Sequence, residues 1–150
     1  MEADISTPLT VQQDIMRARV FAFEREQLKK PQVTIRVEHT FFPGGYARTI
    51  YVPAGTELTG AVHKYSNFNI LVSGTLLIIT EDGPKVMTGP LSFLSPPGTK
   101  RVGKMLTDVV WTTILMTDLT DIAAIEATLT MNDEAQCLAF TESLKLEGKP

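Results

Sequence analysis

The chain has 150 residues, 43% hydrophobic and 21% charged, which suits one globular domain with its own core. A net charge of −3 gives no general field for nucleic acid or an anionic membrane, so no direct DNA contact is expected and any anion site must be local. The lone Cys137 excludes an intrachain disulfide framework, the acidic start MEADISTPLT is unlike a signal peptide, and no run approaches the roughly 20 apolar residues that span a bilayer; a cytoplasmic protein with no membrane contact is expected.

Residues 1–9 read as a loose start. A capping box at Thr10 and Gln13 opens a helix over Val11 to Lys30, and Pro31 ends it by disfavouring helical geometry in the residue before it. Val11, Ile15, Ala18 and Ala22 form an apolar stripe, which Val20, Phe21 and Phe23 widen. Two buried sides are therefore expected, one on the body of the protein and one on a partner chain. Past Pro31 the period changes to two: Val33, Ile35 and Val37 alternate with Thr34, Arg36 and Glu38 as a half-buried strand. Pro43-Gly44-Gly45 and Pro53-Ala54-Gly55 are turns around a strand from Tyr46 to Val52. Further strands are expected over Asn69 to Val72, Leu76 to Thr80, Leu91 to Leu94 and Val109 to Met116, with a hairpin turn at Glu81-Asp82-Gly83. Asp118 caps a second helix to about Thr128, with Ile122, Ile125 and Leu129 on one face. In the tail from Asn132, Leu138 and Phe140 pack locally and Lys145 to Pro150 frays. Many short strands with Gly/Pro turns predict a mostly β barrel or sandwich. The expected division is a helical arm over 1–32, a barrel over 33–117, and a helix and tail over 118–150.

Two segments carry a more specific pattern. Gly55 is followed by five residues, then Ala61-Val62-His63, three residues, Asn67, six residues and Gly74. Later, Gly89 precedes Pro96-Pro97-Gly98; two residues on stands Arg101, and three after that Met105. This pair of segments resembles the two motifs of the cupin superfamily, with one extra residue in the second, and the resemblance covers roughly Thr34 to Met116. It implies a single small cupin-like β-barrel, a double-stranded β-helix or jelly roll, with an N-terminal helix and a short C-terminal helix. Cupins usually hold a divalent metal at four motif positions, which here are Ala61, His63, Asn67 and Arg101. Only His63 is a conventional ligand: alanine has no donor, Asn67 offers a neutral amide oxygen, and the Arg101 guanidinium repels a cation. Neither a metal nor another cofactor is expected.

Strand alternation sets Ala61 and His63 on one face and Asn67 and Asn69 on one face of the next strand. With Arg101 at the mouth, His63, Asn67 and Asn69 would form a net positive pocket for a small anion, read by the planar guanidinium fork. Lys100, Lys64 and Arg48 could add charge, with Lys64 on the rim at best, and Trp111 and Tyr65 could stack on a base or sugar. Each residue also has a plainer role. His63 could be a satisfied strand histidine, and Asn67 and Asn69 could shape the turn near Ser66. Lys100 and Arg101 could be a solvated loop, and Trp111 could be core. Neither Ser95 nor Cys137 sits in a recognisable nucleophile motif.

The strings His63-Lys64, Asn69-Ile70-Leu71, Ser95 to Arg101, and Trp111 followed by Thr117-Asp118 also resemble small cupin-like proteins of bacteriophages. That likeness implies expression in a bacterial host cytoplasm. Three functions follow as expectations. The first is capture of an anionic, nucleotide-type ligand or host immune signal, with no catalysis. The second is a metal-independent sugar isomerase or epimerase with His63 as base, and the third is a structural or interaction protein of a phage. A homo-oligomer, most simply a dimer, is expected in each case.

Overall fold

A computed structural model describes residues 11–80, 83–131 and 133–146. Thr10 of the expected capping box, Glu81 and Asp82 of the expected hairpin turn, and residues 147–150 of the tail lie outside them.

The elements are a helix α1 (Val11–Gln27), strands β1 (Arg36–Phe42), β2 (Gly45–Val52), β3 (Glu57–Thr59), β4 (Val62–His63), β5 (Asn67–Ser73), β6 (Thr75–Thr80), β7 (Gly83–Thr88), β8 (Leu91–Ser95), β9 (Val102–Met105) and β10 (Val109–Met116), then α2 (Ile122–Leu129), β11 (Thr130–Met131) and α3 (Glu134–Leu146). The strands form a five-stranded sheet, β1-β2-β10-β5-β8, facing a four-stranded sheet, β3-β9-β6-β7, while β4 pairs with β11 beside them. The neighbours within both large sheets are antiparallel. The fold is mostly β and of jelly-roll type, two facing sheets rather than one closed barrel. The chain crosses between sheets at Gly74, whose φ is +95° and where a Cβ would lie only 2.1 Å from the Asp108 carbonyl oxygen, so only glycine fits.

Burial of alternate apolar residues fixes which strand faces look inward. Ile50, Val52, Leu71, Leu76, Ile78, Met87, Met105 and Val109 form the inter-sheet core. The expected strand at Val33 begins later, at Arg36; Val33 is 60% exposed. It runs to Phe42 because each of its residues pairs with β2 across the Gly44 turn. The second helix is capped by Asp121, whose carboxylate accepts from the Ala124 amide at 3.0 Å, so Asp118 is not the cap. The tail holds a further helix, α3, which places Cys137 and Phe140 in a small core with Phe21, Val62 and Met131, whereas Leu138 is exposed.

The face of α1 that is buried differs from the predicted stripe. Arg17, Val20 and Phe21 are buried, while Ile15 is 50% exposed and Ala22 is exposed. Phe21 and Val20 carry more apolar area than the alanines, so they set the docking face. Lys100 locks this face. Its ammonium donates to Glu24 Oε2 and to the Gly60 carbonyl, both at 2.6 Å, and lies 4.7 Å from the centre of the Phe21 ring. Lys100→Met is expected to destabilise the protein by about 2 kcal/mol, since it strands Glu24 beside the barrel. Urea denaturation measures the loss, and amide exchange should localise it to α1; unchanged protection of α1 would show that Lys100 does not hold it. Among the described residues no helix is long and apolar enough to cross a membrane.

Candidate functional site

The inward face of the large sheet is graded along its strands. One cross-strand row, Val37–Ile50–Trp111–Leu71, is apolar. The next, His39–Arg48–Thr113–Asn69–Phe93, is largely polar. The polar end opens into a cavity of about 300 Å³ between the sheets, over which α2 lays Ile122, Ile125 and Glu126. Ile125 packs on Tyr46 and Leu115 and fixes α2 there.

The four motif positions Ala61, His63, Asn67 and Arg101 all line this cavity, and so do Arg48, Asn69 and Trp111. Asn69 is the hub. It is 3% exposed, and its Oδ1 accepts from Trp111 Nε1 and Thr113 Oγ1, both at 3.1 Å, and from Asn67 Nδ2 at 3.4 Å. Its Nδ2 donates to Ser95 Oγ at 2.8 Å, and Ser95 Oγ also accepts from Arg101 Nη1 at 2.7 Å. The Arg101 guanidinium lies 5.5 Å from the Phe93 ring centre, and Phe93 meets Trp111 edge to face at 5.4 Å. A chain of buried hydrogen bonds therefore orients Arg101, and such a chain resists rearrangement because each broken bond leaves a desolvated polar atom.

His63 is held neutral. Burial comes first and the Arg48 and Arg101 guanidiniums second; together they push its pKa down from 6.5 to about 4. With no anion bound, His63 therefore offers a neutral ring N–H and a ring acceptor near neutral pH. Tyr46 carries its proton too. Burial raises its pKa, Arg48 opposes this and Glu126 adds to it, and its hydroxyl is 2.6 Å from His39 Nδ1.

Three expected pocket residues lie outside the cavity lining. Lys100 points the other way, drawn into the Glu24 clamp. Tyr65 stands in the turn between β4 and β5 and is 61% exposed. Lys64 stands just past the end of β4, in the turn with Tyr65. Trp111 packs against the core and also lines the cavity. Asn67 and Asn69 are buried and do more than shape a turn.

Ser95, Thr113, Tyr46 and Glu126 were not foreseen in the lining. Parity signals the first three: Ser95 shares a face with Phe93, Thr113 with Trp111, and Tyr46 with Arg48. Glu126 arrives by a long-range docking of α2, which leaves no local signal. The donors that converge here do not fit a divalent cation. The lining holds two guanidiniums against one histidine and one carboxylate, Glu126, with amides and hydroxyls, and no cluster of three His, Cys, Asp or Glu occurs among the described residues.

No family model matches the chain, and no curated protein matches it. It is similar to several solved structures. One is a cupin superfamily protein from Desulfitobacterium hafniense, at 8% identity over 59% of this chain and 83% of that one, with a TM-score of 0.48. A cupin-2 domain containing protein from Shewanella frigidimarina shares 16% identity over 68% of this chain and 99% of that one, with a TM-score of 0.45. A cupin domain from Bordetella pertussis shares 18% identity over 59% of this chain and 98% of that one, with a TM-score of 0.45.

Proposed function

We propose that the chain is a metal-free, cupin-like binding module that captures a small anionic ligand. The carrying observation is the pair Arg48 and Arg101 lining one cavity around a neutral His63. A phosphate or carboxylate meets planar donors there, with Arg101 already oriented by Ser95. Asn67 and Thr113 supply neutral partners, and Trp111 supplies wall area for a base or sugar ring. A volume of about 300 Å³ is at the small end of ligand pockets, which run from about 300 to 1,000 Å³. It suits one mononucleotide or sugar phosphate. Glu126 limits the net charge and adds an acceptor for a ligand hydroxyl.

The likeness to phage proteins extends this reading to sequestration of a nucleotide-type host signal in a bacterial cytoplasm. The isomerase or epimerase reading is weaker on one specific ground. A histidine pushed to about 4 is a poor proton acceptor at neutral pH, and its charged neighbours are cations rather than an orienting carboxylate. The test is to incubate the purified protein with a bacterial metabolite extract, release bound compounds by heat and identify them by mass spectrometry. The expected result is one phosphorylated or carboxylated compound, released unchanged, and no stoichiometric transition metal in the same sample. Recovery of a converted product, or of neutral compounds only, would overturn the reading.

A further inference from the structure

The outward face of the five-stranded sheet has an unusual composition. Across β2, β10, β5 and β8 one outward row is Ala47–Ile114–Phe68–Leu94, and the next is Thr49–Thr112–Ile70–Ser92. Tyr51, Val110, Val72 and Met116 extend these rows. None of these positions is charged. Phe68, Leu94 and Val72 are 41%, 42% and 45% exposed, and Met116 is 74% exposed. Charge begins one strand further out, on β1, where Arg36 and Glu38 pair with each other and with Tyr51. On the other large sheet Met16, Val20 and Phe23 of α1 lie over Leu77, Ile79 and Val102, leaving Val86 of β7 exposed beyond the helix.

We propose that this face is the interface between two copies of the chain, related by a two-fold axis running along β10. A two-fold contact sets a patch against itself, so any charge near the axis meets its own like charge; a charge-free patch with a charged rim avoids that cost. The relief is self-complementary as well. Phe68 and Ile70 form a ridge on β5, while Ala47 and Thr49 form a trough on β2, with β10 between them. Ridge and trough are two strand spacings apart, about 10 Å. An axis along β10 exchanges β5 and β2, so the ridge of one copy enters the trough of its partner. Strands of the two sheets then run close to aligned, the common geometry for stacked sheets. Helix α1 takes no part, which departs from the expectation that its second side meets a partner.

The test is light scattering on the full chain with two variants, Phe68→Asp in the ridge and Ala47→Glu in the trough. The wild type is expected at twice the chain mass of 16.5 kDa at tens of micromolar. Each variant is expected at the chain mass, with wild-type circular dichroism and with retained binding of inorganic phosphate or the captured compound. Ala47→Glu keeps the test decisive should Phe68→Asp fail to fold. A monomeric wild type at that concentration overturns the proposal, and so does a folded variant of either kind that stays dimeric.

Discussion

Arg101→Ala is expected to weaken capture of the anionic ligand by ten- to a hundred-fold and to leave the fold in place. A charge-assisted hydrogen bond is worth about 1.5–3 kcal/mol, and each 1.4 kcal/mol is about tenfold in affinity. The fold should tolerate the change. Arg101 is only half-buried, and Ser95 Oγ keeps its bond from Asn69 at 2.8 Å. Arg101→Lys keeps the charge and loses the planar fork, so it should fall between the wild type and the alanine variant. Titration calorimetry with the compound recovered from the metabolite extract measures the loss, and a thermal melt monitors the fold. Unchanged affinity in Arg101→Ala, or outright unfolding, would assign Arg101 a structural role and remove the basis of the site.

Acid should destabilise the protein through His63 by about 3 kcal/mol. The folded-state pKa, about 4, lies below the unfolded value of 6.5. Between those values the unfolded chain binds a proton that the folded chain does not, so stability is complete above pH 6.5 and falls as pH drops toward 4. The difference of roughly 2.5 pK units, at about 1.36 kcal/mol each, gives the magnitude. Urea denaturation of the wild type and His63→Gln at pH 7 and pH 4.5 isolates it. The variant should lose clearly less stability than the wild type over that interval. Equal losses would show that burial and the two guanidiniums do not hold the His63 pKa down.

Much of the site is legible in the sequence. The spacing from Gly55 to Gly74 and from Gly89 to Met105 placed Ala61, His63, Asn67 and Arg101 together, and all four line one cavity. Strand parity added Asn69, and Trp111, offered as stacking surface or core, lines the cavity too. What failed was proximity in sequence used as proximity in space. Lys100 adjoins Arg101, yet its ammonium is buried against α1, 76 residues away in the chain. Tyr65 lies two residues from His63 and faces solvent. In both cases the side chain follows the nearest long-range partner, or its absence, and neither is written in the local pattern.

The fold divides the same way. Alternation and Gly/Pro turns determined most of the longer strands: β10 spans the predicted Val109–Met116 and β2 matches to within one residue, whereas β7, Gly83–Thr88, was not foreseen. Two- to four-residue strands such as β3, β4, β9 and β11 are too short to show a period, so only pairing across the sheets creates them. The sequence by itself determined a mostly β chain and the four motif positions that come to line one cavity. The tertiary structure alone decided which face of α1 is buried, which helix closes the cavity, and that His63 is neutral. Those three depend on burial and on charges brought together from β2, β4 and the segment before β9, and a field between distant residues exists only once the chain has folded.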